Sequence, residues 1–274
     1  MKMDYLCKHV NGNYVFKVFE NNIRVRETKN NEQELKPEYP EIHHIIINDY
    51  NYNGYIINSD FFSFSFINEI LNFTEINIYG SDIFEHPQLE DIIQFFKDKR
   101  CYIKLYINQN QLIPKNIKII EKFYENKLIK ELHININKIN KRLIQYINNK
   151  KFIYLEIMSH LFNLNQLNKL KTYNIIIKNC NNIFNKKQLN NKKNIKNNII
   201  NIINNFDCIE FDYSSILLFN LKEYLPKDYN ISFNNLFSIS FNLPNNTYSK
   251  SLNSNTFFNI NDNLKNMFKN LQNS

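Results

Sequence analysis

Thiols and imidazoles are the side chains of this sequence best suited to hold a metal ion, and their spacing decides whether they can do so together. The four cysteines, Cys7, Cys101, Cys180 and Cys208, lie far apart and form no CxxC or comparable ligand spacing. The six histidines are equally dispersed and include no HExxH motif. The sequence therefore predicts no metal site and a protein whose cysteines stay reduced.

Acidic residues form a second group that could carry chemistry, because carboxylates transfer protons when their geometry converges on a substrate. Asp49, Asp82 and Glu85, together with His86, follow two strand-like runs of the chain. Sequence alone shows no convergence among them. An enzyme that uses these four residues is therefore one of the alternatives left open.

The elements that would position these residues follow a repeated strand–helix pattern. Helical patterns separate the strand-like runs and include amphipathic stretches at 86–99 and from Pro114 towards Asn126. Before them, residues 11–27 predict a β-hairpin, and near the end of the chain Asn261 is predicted to cap a final helix. This order predicts an α/β protein with a parallel sheet. The predicted strands are 42–47, 75–78, 102–107, 132–136, 152–157 and 173–178.

Periodicity does not decide between an open doubly wound sheet and a full or partial barrel. No GxGxxG or Walker-type loop follows the first strand of the repeated pattern, which disfavours a nucleotide-binding doubly wound fold. The chain has only three glycines, Gly12, Gly54 and Gly80. Because glycine permits tight turns and close backbone approaches, these three positions mark the places where such geometry is expected.

Residues 76–112, "INIYGSDIFEHPQLEDIIQFFKDKRCYIKLYINQNQL", resemble the second and third βα units of radical SAM enzymes. In that superfamily a strand ends in a glycine-rich turn, an L-x-H-P-x-L motif opens the next helix, and the following strand ends near an asparagine. Here Gly80, Ser81 and Asp82 lie at the turn, His86 lies at the helix start, and Asn108 ends the next strand. The resemblance implies a partial (β/α)6 TIM-type barrel with an N-terminal β-hairpin and a C-terminal helix.

The loop after the first strand, "NDYNYNGYIINSD", is similar to the loop that carries CxxxCxxC in radical SAM enzymes. Tyr50 and Gly54 match an uncharacterised bacterial and phage group of that superfamily, whereas Asn51, Tyr55 and Asn58 stand at the three cysteine positions. Iron–sulfur clusters are held by thiolates, which a neutral amide or a phenol does not replace. The resemblance therefore implies that the [4Fe-4S] cluster is absent and that these three positions are degenerate.

The same resemblance implies the remaining site and the domain boundaries. Residual binding of S-adenosylmethionine, or of another ligand, would use Gly54, Gly80, Ser81, Asp82 and Asn108. The implied domains are an N-terminal hairpin extension at 1–36, the barrel at 37–212 and a C-terminal extension at 213–274. Ser81 and Ile83 depart from the glycine and proline usual at the turn, so no cofactor is expected to be required.

Composition and charge bear on partners. Asn makes up about a fifth of the chain and Ala is absent, which indicates an AT-rich genome more than a function. The net charge of +8 comes mainly from scattered lysines. They are densest at 179–198, which is predicted to be a solvated linker. The residues best suited to bind phosphate are the four arginines, Arg24, Arg26, Arg100 and Arg142. Binding of nucleic acid or another anion is therefore kept as an alternative but is not favoured.

The leading hypothesis is a cytoplasmic, non-catalytic radical SAM-like protein. Neither a signal peptide nor an apolar run of membrane-spanning length is visible, so no membrane partner is predicted. The alternatives for its role are that it binds a peptide or small ligand, or that it partners an active radical SAM enzyme. The gene could also be decaying, and the acid–base enzyme described above remains the third class.

Overall fold

The computed structural model of the chain describes residues 5–19, 24–28, 34–158, 168–170, 173–178, 209–211, 238–250, 254, 256–260 and 262–273. The chain divides into two compact units. Unit 1 comprises residues 1–105, 118–130 and 234–274, and unit 2 comprises residues 106–117 and 131–233. Both contain strands and helices, which confirms the predicted α/β class, and the described residues form no closed barrel.

Fourteen strands and four α-helices lie in the described residues. The strands are β1 (Cys7–Asn11), β2 (Tyr14–Val18), β3 (Arg24–Thr28), β4 (Ile42–Tyr50), β5 (Ile56–Asn58), β6 (Glu75–Gly80), β7 (Tyr102–Asn108), β8 (Glu131–Ile136), β9 (Ile153–Met158), β10 (Asn174–Lys178), β11 (Ile209–Phe211), β12 (Ser238–Asn242), β13 (Thr247–Ser249) and β14 (Phe258–Asn259). The helices are α1 (Leu89–Asp98), α2 (Pro114–Glu125), α3 (Lys141–Ile147) and α4 (Leu264–Asn273).

Unit 1 begins with an antiparallel sheet in the order β1-β2-β3. The predicted hairpin corresponds to β2 and β3, and β1 adds a third strand through a turn at Gly12, whose φ is +62°. A Cβ at this glycine would collide with the carbonyl oxygen of Lys36. The sheet has a small core of its own around Tyr14, Phe16 and Val18.

The parallel strands of unit 1 run in the order β12-β4-β6-β7, where β7 contributes its first four residues. β6 and β7 pair in parallel, with Glu75 opposite Tyr102. β5 folds back antiparallel on β4, while β13 and β14 continue antiparallel beyond β12. The predicted strands at 42–47, 75–78 and 102–107 are therefore confirmed.

Alternation along these strands separates an apolar face from a polar one, because successive side chains in a strand point to opposite sides. Ile45, Ile47, Ile76 and Ile78 are fully buried, whereas His44, on the other face, is half-buried. The aromatic residues of the core make ring contacts. The ring centroids of Phe61 and Phe96 of α1 are 5.7 Å apart, and the ring of Phe66 stacks on that of Phe241 of β12 with a centroid distance of 4.1 Å.

Helix α4 buries the predicted stripe of Leu264, Met267, Phe268 and Leu271. The predicted cap, Asn261, lies outside the described residues. Two other acceptors cover the helix start: Asn263 Oδ1 accepts from the Asn266 N–H at 2.9 Å, and Glu69 Oε2 accepts from the Leu264 N–H at 2.9 Å.

Unit 2 pairs β8, β9, β10 and β11 in parallel, each with the next strand along the chain. Its helix α3 is capped by Asn140, whose side chain accepts from the Leu143 N–H at 2.8 Å. The strands predicted at 132–136, 152–157 and 173–178 are confirmed. The linker predicted at 179–198 lies outside the described residues, and the predicted domain boundaries stay a prediction.

Candidate functional site

The loop at the three predicted cluster positions is a tight β-hairpin that joins β4 to β5. The Asn51 N–H donates to the Tyr55 carbonyl at 2.8 Å, and Asn51 Oδ1 accepts from the N–H groups of Asn53 and Tyr55 at 3.0 and 2.9 Å. Gly54 has φ +79°, a conformation that glycine adopts without strain. The glycine in this stretch therefore closes a turn, and Asn51 stabilises it.

Asn48 organises the carboxyl end of β4. It is completely buried, and its Nδ2 donates to the Asp82 carbonyl at 2.7 Å and to Asn58 Oδ1 at 3.2 Å. A register shift after Ile46 places Asn48 opposite Gly80 of β6. Sequence analysis missed Asn48, although an asparagine that interrupts the run "IIIND" is the kind of buried polar residue that needs partners.

Gly80 is required because Asn48 approaches it too closely for any side chain. A Cβ at this position would collide with Asn48 Oδ1 and would lie 3.3 Å from the Ile83 Cα. Gly80 shows no positive φ, so the close approach rather than an unusual backbone conformation excludes other residues. We call the cluster of Asn48, Asp49, Asn58, Gly80, Ser81 and Asp82 the junction.

Asp49 and Ser81 add a carboxylate and a hydroxyl to the junction. Ser81 Oγ donates to Asp49 Oδ1 at 2.5 Å, and the Ser81 N–H donates to the Asn48 carbonyl at 3.2 Å. The Asp49 and Asp82 residues are both partly accessible. Four predicted site residues, Asn58, Gly80, Ser81 and Asp82, are thus brought together, while Tyr55 lies in the hairpin turn with 71% of its surface exposed.

His86 is held by backbone groups on both sides of its ring. Nε2 lies 3.0 Å from the Ser59 carbonyl, and Nδ1 accepts from the Gln88 N–H at 3.1 Å. Burial lowers the pKa of His86, with the Ser59 contact acting in the opposite direction. The ring therefore ties the start of α1 to the segment after β5, whereas Glu85 beside it is exposed.

Asn108 belongs to unit 2, where it ends β7. Its N–H donates to Gln111 Oε1 at 2.7 Å, and the neighbouring Gln109 Oε1 accepts from the N–H groups of Asn137 and Lys138, each at 3.3 Å. These contacts connect the end of β7 to the segment after β8 within unit 2.

A buried ionic cluster lies at the start of β6 in unit 1 and was missed from the sequence. Glu75 Oε2 lies 3.9 Å from Arg24 Nη2. Glu75 Oε1 lies 3.5 Å from Lys104 Nζ and accepts a hydrogen bond from Asn77 Nδ2 at 3.1 Å. Burial alone would raise the pKa of Glu75, but Lys104, Arg24 and Asn77 together lower it to about 2. The cluster connects β3 to the polar face of the parallel strands.

A second buried polar cluster lies in unit 2 and was also missed. The His133 ring stacks between Tyr106 and Tyr154, with centroid distances of 4.3 and 5.0 Å. Its Nε2 lies 2.8 Å from Glu131 Oε2, and its Nδ1 lies 3.4 Å from Glu156 Oε1. The alternation of Glu131 and His133 with apolar residues along β8 is the sequence signal that could have revealed this face.

Two of the arginines suited to phosphate are used inside unit 1. Arg26 donates twice to Glu41 Oε2, at 2.9 Å from Nε and 2.5 Å from Nη2, and Tyr14 donates to Glu41 Oε1 at 2.5 Å. Arg24 is directed at Glu75 and donates to the Glu41 carbonyl at 3.2 Å. Both guanidinium groups therefore contact glutamates within unit 1.

The thiols of the described residues are separate from the junction. Cys7 and Cys101 are free, and burial raises the pKa of each thiol. Cys180 and Cys208 lie outside the described residues. Within the described ranges no group of three or more His, Cys, Asp or Glu side chains is arranged to hold a metal ion, and none of the helices there has the length and apolar character to cross a membrane.

Comparisons of the chain with protein-family models, with curated proteins and with solved structures found no match. The case for a family therefore depends on the residues of the two loops described above, at the ends of β4 and β6.

Proposed function

We propose that the chain is a non-catalytic relative of radical SAM enzymes that uses the junction to bind a small ligand or a peptide, or to partner an active enzyme. The observation that carries the proposal is the contact between Asn48 and Gly80, which places a side-chain-free backbone turn beside two carboxylates. Loops at the carboxyl ends of parallel strands are where α/β proteins bind ligands.

The finer fold proposed is a partial (β/α)6 barrel of the radical SAM kind. Its support is the order of the strands within each unit: β4, β6 and β7 are consecutive neighbours in one, and β8, β9, β10 and β11 in the other. This order is typical of barrels built from successive βα units. The N-terminal sheet and α4 would be additions to that barrel.

The residues at the three cluster positions do not fit a [4Fe-4S] cluster. Asn51 Oδ1 already accepts two backbone hydrogen bonds, and Asn58 Oδ1 accepts from Asn48. Neither these amides nor the Tyr55 phenol is the thiolate that holds iron in such clusters. The proposal therefore includes no step that uses the cluster.

The chemistry of the junction suits a ligand with an ammonium group. Asp49 and Asp82 are partly accessible carboxylates, and Ser81 places a hydroxyl between the two strand ends. Carboxylates bind ammonium groups through charge-assisted hydrogen bonds. Free amino acids, a peptide and the methionine moiety of S-adenosylmethionine all carry such a group.

A cluster-reconstitution experiment tests the relation to radical SAM enzymes. The purified protein, treated with iron and sulfide without oxygen, should remain colourless and should not cleave S-adenosylmethionine. The triple variant Asn51→Cys, Tyr55→Cys and Asn58→Cys should gain iron–sulfur absorption, because the hairpin would then present three thiolates. A matched control carries Lys118→Cys, Lys122→Cys and Glu125→Cys at exposed positions of α2.

Three outcomes of this experiment contradict the proposal. Iron–sulfur absorption by the unmutated protein would show that the cluster ligands were wrongly assigned. A triple variant that folds but binds no cluster would show that the hairpin lacks the geometry of the family's loop. Equal absorption by the triple variant and the α2 control would mean that thiol density, not the hairpin, explains the gain.

Calorimetric titration tests the ligand site itself, with S-adenosylmethionine and free methionine as probes. Binding that Asp82→Asn weakens and Asp98→Asn leaves unchanged supports a site at the junction. Binding that Asp82→Asn does not change contradicts that site. If neither probe binds, the proposed ligand is restricted to a peptide or a partner protein.

A further inference from the structure

The hairpin between β4 and β5 exposes an unusual amount of apolar surface. Tyr50, Tyr52, Tyr55 and Ile57 are 51%, 97%, 71% and 40% exposed, and we call these four residues the tyrosine tip. Tyr50 and Ile57 lie on the two paired strands, and Tyr52 and Tyr55 lie in the turn between them. Tyrosine is enriched at protein interfaces because it combines a large apolar ring with a polar hydroxyl.

The tyrosine tip is not needed to form the hairpin. The turn is closed by the backbone and by Asn51 Oδ1, and the strands pair from Asn48 to Tyr50 with Ile56 to Asn58. A side chain that is 97% exposed, as Tyr52 is, contributes little to the packing of the fold. Its exposure therefore calls for an explanation outside the folded chain.

The chain segment that carries the tyrosine tip is acidic, although the whole chain has a net charge of +8. Residues 37–96 contain ten carboxylates and neither Lys nor Arg. Four of the ten, Glu38, Glu41, Glu75 and Glu90, pair with basic residues from other segments. Within this segment Asp49 lies on the hairpin itself, Asp60 follows β5, and Asp82 and Glu85 follow β6. Asp60 and Glu85 are exposed. An acidic surface of this kind repels nucleic acids and anionic membranes and attracts cations.

We propose that the tyrosine tip binds a cationic, extended segment of a partner protein. Arg and Lys side chains would stack on the exposed tyrosine rings and approach the neighbouring carboxylates. Among the described residues β5 pairs only with β4, and the partner segment would add a strand along the other edge of β5. This inference rests on the proposed binding role of the junction and names the class of partner.

The experiment measures the binding of short fluorescein-labelled peptides by fluorescence anisotropy. All peptides have the same length, and Ser and Gly alternate with Arg in one, with Lys in the second and with Glu in the third. We expect the Arg peptide to bind best and the Glu peptide not to bind, since only Arg combines the charge with a planar group that stacks on rings. A labelled DNA duplex, measured in a separate titration, serves as the anionic probe.

Variants of the tip separate specific binding from general charge attraction. The double variant Tyr52→Ala and Tyr55→Ala should weaken binding of the Arg peptide about tenfold, since it removes two exposed cation–π partners. Tyr124→Ala, on α2, removes a tyrosine that is 43% exposed and should change nothing. Glu85→Gln should weaken binding less than the double tyrosine variant and should reduce its salt dependence.

The outcomes distinguish this inference from the proposed function. Equal binding of the Arg and Glu peptides, an unchanged affinity in the double tyrosine variant, or tighter binding of the DNA duplex would each overturn the tyrosine tip as a cation-binding surface. None of these results affects the cluster-reconstitution or S-adenosylmethionine experiments. Conversely, a cluster in the unmutated protein would overturn the proposed function while leaving the peptide result intact.

Discussion

The contact between Asn48 and Gly80 makes a quantitative prediction about stability. Gly80→Ala would place a methyl group against Asn48 Oδ1 and close to the Ile83 Cα. Asn48 is completely buried, and its Nδ2 donates to Asp82 and Asn58, so moving its side chain would break these hydrogen bonds. The collision must therefore be relieved by displacing Asn48 or by shifting β6 against β4.

The expected cost follows from the two ways of relieving the collision. Overpacking a filled site costs about 1–3 kcal/mol. If Asn48 is displaced, its buried amide loses hydrogen bonds at a cost of about 1–3 kcal/mol. Either way, we expect Gly80→Ala to lower the free energy of unfolding by about 1–3 kcal/mol.

A double-mutant cycle isolates the contact. Asn48→Ala alone should destabilise the protein, because it removes the hydrogen bonds to Asp82 and Asn58. In the Asn48→Ala background the added Gly80→Ala change should cost less than about 1 kcal/mol, since the colliding oxygen is gone and only the contact with Ile83 remains. Gly54→Ala is the matched control: nothing lies within 4 Å of its added Cβ, so only the strain of φ +79° should appear, in either background.

Urea unfolding followed by circular dichroism measures all four free energies of the cycle. An equal cost of Gly80→Ala with and without the Asn48 side chain would show that the destabilisation does not come from their contact. An unchanged stability of Gly80→Ala would show that Asn48 does not exclude a side chain at this position.

Four further predictions concern pH and the two proposals. Burial lowers the pKa of His43 to about 3 from 6.5, so on acidification the unfolded chain binds the proton first. The contribution of neutral His43 to stability is therefore complete above pH 6.5, and the free energy of unfolding should fall by up to about 1.4 kcal/mol per pH unit towards pH 3. In urea unfolding, His43→Leu should flatten this loss. Glu75→Gln should destabilise by about 3 kcal/mol at neutral pH by leaving Arg24 and Lys104 uncompensated. Because the pKa of Glu75 is lowered to about 2 from 4.5, that difference should shrink as pH falls from 4.5 towards 2, and a constant difference would contradict the ion-pair explanation. Anaerobic reconstitution should colour the triple cysteine variant of the hairpin and not the α2 control. Peptide anisotropy should show about a tenfold loss for the variant lacking Tyr52 and Tyr55.

The strands and helices could be predicted from the sequence because their causes are local. Short Ile-rich runs predicted β4, β6 and β7, and Pro114 with the apolar spacing after it predicted α2. The turn at Gly54 was likewise predictable, since a left-handed backbone conformation favours glycine wherever it occurs. These features depend on residues within a few positions of one another.

The candidate site could be predicted only in part. The sequence located the two loops at the ends of β4 and β6, and four of the residues named there meet at the junction. Asn48, which joins them, was missed because its position after three isoleucines indicates burial but does not show which residues it contacts. Its role depends on a hydrogen bond to Asp82, a residue that reaches it only through the pairing of β4 with β6.

Residue types and their spacing thus determined the α/β class, the positions of the strands, and the wide separation of the four cysteines along the chain. Tertiary structure decided that Asn48 excludes a side chain at Gly80, that Arg24 pairs with Glu75, and that Tyr52 lies in solvent. The physical reason is that burial, pKa and steric exclusion are properties of an environment. That environment is assembled from segments far apart in the chain, so its effect on any one residue appears only when strand pairing brings those segments together.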